Sequence, residues 1–182
     1  LEIRGAGNLL EQLNRFQREN LAADLRIALD QTKGDWHRLR GEYQAAIKAY
    51  EAVLETSANN AVKTVMQQRL SNVYLKAGEY VQSLEHARHS LALSEAANDQ
   101  LAIAHAQHDM AAAYYHLGKL DAAYDRLTAS EASMQAGQDL GLLANVNLGF
   151  GLIAWRRRQL DAARRRFETS RRIFHELNNR GS

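Results

Sequence analysis

Neither cysteine nor proline occurs among the 182 residues, and only 7% are aromatic. Without cysteine there is no disulfide framework, no thiolate zinc site and no cysteine nucleophile. Without proline, and with Ala, Leu, Gln, Glu and Arg abundant, the chain is predicted to be almost wholly helical. A net charge of +2 is too small for any argument about long-range steering to nucleic acid. Long apolar runs are lacking too. The longest uncharged stretch, Leu140 to Trp155, is 16 residues and holds Asn145, Asn147 and three glycines. A membrane span needs roughly 20 apolar residues, so this stretch reads as a buried helix and no membrane association is expected. No secretory signal pattern is visible. The length suits one domain or a short repeat array. The chain starts at Leu1 rather than methionine, so a segment of a larger, cytoplasmic protein is expected.

What is present is repetition. Gly41-Glu42-Tyr43, Gly78-Glu79-Tyr80, Gly118-Lys119-Leu120 and Arg158-Gln159-Leu160 recur at separations of 37, 40 and 40 residues. After each comes a stripe stepping by three, four and three, which keeps one helical face. Its members are Tyr43, Ala46, Tyr50, Val53; Tyr80, Ser83, Ala87, Ser90; Leu120, Ala123, Leu127, Ser130; and Leu160, Ala163, Phe167, Ser170. Seven residues before each turn position stand Gly34, Ser71, Ala111 and Gly151, all small enough for helices to approach closely. Glycine suits the turn because a left-handed residue ends the first helix. Asn59-Asn60, Asn98-Asp99 and Gly137-Gln138-Asp139 punctuate the repeats and can cap the next helix.

These fragments resemble the tetratricopeptide repeats, most clearly over Ala61–Asn98 and Leu101–Gln138. The resemblance implies an all-α, right-handed α-solenoid of about four helix–turn–helix units, near 21–60, 61–98, 101–138 and 141–179, with residues 1–20 as a preceding helix or cap. The closing proline of such repeats is missing, and spacings of 40 exceed the usual 34. Longer repeats of this kind resemble those of bacterial signalling proteins, including transcription activators of the maltose-regulator type. Lys33 and His37 occupy positions normally buried, and Arg158 stands where the turn glycine would be. One helix pair cannot bury its apolar face alone, and stacking supplies the core. Residues 1–10 also resemble a short stretch of transcription-repair coupling translocases, but Asn8 and Glu11 read more simply as a capping box.

By the family's pattern, groove-facing side chains come 13, 10, 6, 3 and 2 residues before each turn position. Carried onto this chain, the resemblance offers Gln68, Asn72 and Lys76 in the second repeat. It offers His105, His108, Tyr115 and His116 in the third, and Asn145, Trp155 and Arg156 in the fourth, with Ala112, Leu148 and Leu152 between them. The first repeat would supply Asp35 and Arg38. Asn72 and Gln68 suit a peptide backbone, while Tyr115 and Trp155 offer flat apolar area. The set lacks the lysine and asparagine clamp by which this family holds chaperone tails. The histidines do not make a metal site, because His116 lies about 16 Å along the axis from His105. They give the groove a charge change near pH 6.5 at most.

Charge gathers at the end. From Ala154 onward nine arginines face three acidic residues, +6, leaving −4 for the remaining 153. Arg164, Arg165, Arg166, Arg171 and Arg172 flank a stripe of Ala163, Phe167, Ser170, Phe174 and Leu177 that is expected to be buried. That patch suits phosphates or an acidic partner surface, although aromatic interleaving for single strands is missing. No phosphate-loop lysine motif, serine elbow or paired metal-binding histidines appear, so neither an enzyme nor a cofactor or metal is expected. The sequence therefore points to a regulatory scaffold that binds a protein or peptide, including another domain of its parent chain. Nucleic-acid contact through the arginines, small-ligand sensing in the His/Tyr/Trp groove, and self-association through uncapped ends are the alternatives.

Overall fold

The computed structural model describes residues 23–134 and 139–180. The helix expected over 1–20, the Asn8/Glu11 box and the first part of the third linker lie outside these residues. Among the described residues the chain forms helices and turns in four consecutive pairs. The first two pairs are α1 (Ala23–Leu39) with α2 (Tyr43–Thr56) and α3 (Asn60–Ala77) with α4 (Tyr80–Ala96). The last two are α5 (Gln100–His116) with α6 (Leu120–Ser133) and α7 (Leu140–Arg156) with α8 (Leu160–Arg180). Each helix packs on its pair-mate, and the second helix of each of the first three pairs packs on the first helix of the next. The protein is an all-α solenoid of tetratricopeptide-like repeats.

The boundaries follow from local chemistry. Asn59 accepts from the amides of Ala61 and Val62, Asp99 from Ala102 and Asp139 from Leu142, so each of the last three pairs opens on a side-chain cap. Such caps satisfy amides that the first helical turn leaves unpaired. Within each pair the reversal uses one left-handed residue: Gly41, Gly78 and Gly118 at φ 75°, 83° and 74°. Arg158 holds the same place at φ 58°. For a residue with a Cβ that conformation costs about 1–2 kcal/mol. Replacing Arg158 by glycine is therefore expected to stabilise the fourth pair by about 0.5–1 kcal/mol, the gain being trimmed by glycine's freedom when unfolded. A urea midpoint that falls instead would contradict it.

The second-helix stripes line the interior. Ala46, Tyr50, Val53, Ser83, Ala87, Ser90, Ala123, Leu127, Ser130, Ala163 and Ser170 are all buried. Across from each stripe sits the small residue of the first helix, and its size is matched to its partner. A Cβ on Gly34 would fall 2.3 Å from the Tyr50 ring, and one on Gly151 would fall 2.5 Å from the Phe167 ring. Neither glycine is there for its backbone; each is the space that an aromatic ring fills. The third pair places Ala111 and Leu127 at these positions, and the second Ser71 and Ala87. There Ser71 shares a hydrogen bond of 3.2 Å with Ser83.

The last helix corrects one expectation. Phe174 does not join the buried stripe: it is 38% exposed, while Ile173 is 6% exposed and takes the interior position. From Ser170 the stripe continues by a step of three rather than four. Because α8 packs chiefly against α7, its apolar face has one wall rather than two. Leu160 is left exposed for the same reason. Lys33 stays largely shielded beside Asp30 at 3.9 Å, and burial lowers its ammonium pKa while Asp30 opposes that shift. His37 donates to Glu42 at 2.6 Å across the first turn.

Candidate binding groove

A pocket of about 210 Å³ opens between α5 and α7. Its lining includes His108, Ala112, Tyr115 and His116 from α5, and Asn145, Leu148 and Leu152 from α7. Those seven are positions that the family register placed toward the groove. Its floor is apolar and well packed: Leu127 and Ile153 are each 2% exposed. Gly149 lets α7 sit close, since a Cβ there would come within 2.9 Å of a Leu127 methyl. An apolar floor with a few polar groups at the mouth is the usual composition of a recognition site.

The rim is held from the side. His116 stacks on Tyr80 of the preceding pair at 4.7 Å between ring centres, with planes 12° apart. Tyr115 meets the His116 ring edge-on at 5.4 Å, and the Arg156 guanidinium lies 5.6 Å from the Tyr115 ring centre. These contacts order the mouth, each contributing on the order of 1 kcal/mol. Trp155 is 55% exposed. With Arg156, Arg158 and Leu160 it borders a separate, shallower hollow at the turn edge. His105 is drawn off toward the cap of α7, donating to Asp139 at 3.1 Å. His108 pairs with Asp109 at 3.4 Å. The three groove histidines thus have three different partners. Gln68, Asn72 and Lys76 share the register of the pocket residues on α3, where Gln68 and Asn72 are half-buried and Lys76 exposed.

The first pair's groove positions are used for structure. Asp35 accepts from the Tyr50 hydroxyl at 2.8 Å and from Arg69 of α3 at 2.7 Å, with Arg38 3.7 Å away. This carboxylate ties the first repeat to the second.

A ladder of amides and nitrogen donors escaped the sequence reading. Gln67 accepts from His86 at 2.7 Å, Gln107 from Arg126 at 3.2 Å, and Asn147 from Arg166 at 2.8 Å. All three pairs are 19 residues apart, eleven before and eight after the turn position. Each joins the two helices of one repeat, and the buried amides Gln107 and Asn147 gain the charged donor they need. A recurring amide with a histidine or arginine at that spacing is a signal the sequence carries. Burial lowers the His86 pKa, with His89 adding to the effect.

The ladder also divides the arginine patch. Arg166 is committed to Asn147 and lies 3.7 Å from Glu131. Arg164 pairs with Glu168 at 2.9 Å, and Arg157 pairs with Asp121 of the third repeat. No side-chain partner among the described residues engages Arg165, Arg171 or Arg172. No helix among the described residues is long and apolar enough to cross a membrane.

This geometry defines a class, the tetratricopeptide-like α-solenoids, and solved structures agree. The chain is similar to BtubC from P. vanneervenii at 17% identity and TM-score 0.75, over 97% of this chain and 75% of that one. It is similar to a Rap protein crystallised with Competence and Sporulation Factor at 16% identity and TM-score 0.80, over 92% of this chain and 48% of that one. A P. anserina kinesin-light-chain protein with nearly identical TPR-like repeats matches at 18% identity and TM-score 0.70, over 96% of this chain and 88% of that one. No protein-family model matches the sequence, nor does any curated protein at a significant level.

Proposed function

We propose that the protein is an interaction module that captures a peptide, helix or partner domain in the groove of α3, α5 and α7. The observation that carries this reading is the α5–α7 pocket, in which seven positions of one register converge on an apolar floor with an ordered polar rim. Its size favours a protein partner. At about 210 Å³ it falls below the ~300–1,000 Å³ of pockets that enclose a whole small ligand, and suits one or two side chains of a longer partner. Gln68, Asn72 and Asn145 then serve the partner's backbone, and Tyr115, Trp155 and Arg156 extend the contact toward the turn edge. The Rap neighbour, a solenoid of this fold solved in complex with Competence and Sporulation Factor, supports a binding role. The module binds rather than catalyses, and it works in the cytoplasm within a larger bacterial signalling or transcription-regulatory protein.

Ala112→Leu tests this directly, because Ala112 lines the pocket and is only half-buried. The larger leucine side chain should fill the cavity while leaving thermal stability within about 1 kcal/mol. Capture of the partner from a bacterial lysate at moderate salt, followed by titration of the captured protein, should show binding at least about tenfold weaker, or roughly 1.4 kcal/mol. Undiminished binding by a folded variant would place the partner elsewhere.

A further inference from the structure

The second surface is the outer face of the last pair, where a hollow of about 540 Å³ lies between α7 and α8. Its floor includes the apolar Leu143, Ala162 and Ile173, and its sides carry Arg165, Arg166 and Arg172. Arg166 is already spent on the buried Asn147 amide and on Glu131. Arg165 and Arg172 are exposed and have no side-chain partner among the described residues. Two unpaired guanidiniums over an apolar floor form a site of defined chemistry. We propose that this hollow binds an acidic peptide segment, with one carboxylate on Arg165, a second on Arg172, and an aliphatic side chain between them on Leu143 and Ile173.

The spacing sets the ligand. Arg165 and Arg172 are seven residues apart on one helix, about 10.5 Å along its axis at 1.5 Å per residue. A peptide in the polyproline II conformation advances about 3.1 Å per residue with three residues per turn, so acidic residues three apart share one face and match that span. Guanidinium pairs carboxylate in a planar, two-bond geometry, which rewards a fixed position. A nucleic-acid strand fits less well. The hollow's lining includes no aromatic side chain on which a base would stack.

The probe is a fluorescein-labelled peptide, Gly-Ser-Glu-Leu-Leu-Glu-Ser-Gly, followed by fluorescence anisotropy with the folded protein at low and moderate salt. Comparison probes are the same peptide with both glutamates changed to glutamine, and a twelve-residue oligo-deoxythymidine. The acidic peptide should bind saturably, and the glutamine peptide at least tenfold more weakly. Arg165→Glu/Arg172→Glu should weaken acidic-peptide binding at least tenfold, while Arg171→Glu, which lies outside the hollow, should leave it within twofold. Unchanged circular dichroism would show that these surface variants remain folded. The proposal is overturned if the acidic peptide does not bind, or if Arg171→Glu weakens it as much as the pair does, which would mean a diffuse basic field. It is equally overturned if the oligonucleotide binds more tightly than the peptide.

Discussion

Truncating Tyr50 to alanine is expected to lower the unfolding free energy by about 3–5 kcal/mol, the usual cost of emptying an aromatic site in a packed interior. Tyr50 is fully buried, and its hydroxyl donates to the carboxylate that also holds Arg69 of the second repeat. The truncation therefore opens a void and loosens the joint between two repeats. The glycine opposite makes the prediction specific. Gly34→Ala alone sets a carbon 2.3 Å from the ring, an overpacking that costs about 1–3 kcal/mol. Gly34→Ala/Tyr50→Leu reproduces the Ala111/Leu127 combination of the third pair. It should be more stable than the two single changes summed, by at least about 1 kcal/mol. Urea unfolding of the four proteins checks this, and additivity within about 0.5 kcal/mol would contradict the size-matching account.

Alkaline pH should expose the same residue. Burial, and after it the hydrogen bond and charge of Asp35, push the Tyr50 phenol up to about 12, against about 10 for a tyrosine in an unfolded chain. Above pH 10 the unfolded chain gives up a proton that the folded protein keeps. The unfolded state then binds fewer protons, so this contribution is complete below pH 10 and is lost as pH rises toward 12. At pH 11 the loss is about 1.4 kcal/mol from this group alone. Tyr50→Phe removes it, at a neutral-pH cost of about 1 kcal/mol for the missing hydrogen bond. Stability measured at pH 9 and pH 11 should therefore fall more steeply for the parent protein than for the variant. Parallel losses would mean that Tyr50 titrates normally.

Much of the fold was legible because it depends on spacing. The glycines at 41, 78 and 118 and the three-four-three stripes are one-dimensional signals of a helical turn and a helical face. The capping residues Asn59, Asp99 and Asp139 are equally local. The size exchange between Gly34 and Tyr50, or Gly151 and Phe167, was half visible: each residue was noticed in its own helix, but only packing shows that one is the mould of the other. Phe174 was misplaced because a periodic stripe does not say how many walls a helix packs against. In the groove, the register placed His108, Ala112, Tyr115, His116, Asn145, Leu148 and Leu152 around one pocket. It did not foresee that Leu127 of α6 would help form the floor, since that depends on how deeply α5 and α7 sit on the second layer. The arginine patch read as one block because charge counting ignores partners. Asn147 and Glu131 are what separate Arg166 from the free Arg165 and Arg172.

The central claim, partner capture in the α5–α7 groove, is tested most directly by site-specific photocrosslinking. A benzophenone side chain at Leu148, which lines the pocket and is 38% exposed, is compared with one at Thr128, an exposed position on α6 outside the pocket. The account predicts a discrete partner adduct from position 148 that disappears when Ala112→Leu is added, and none from position 128. Adducts from position 128 with none from position 148 would contradict it, because the partner would then lie on the second-helix layer and not in the groove.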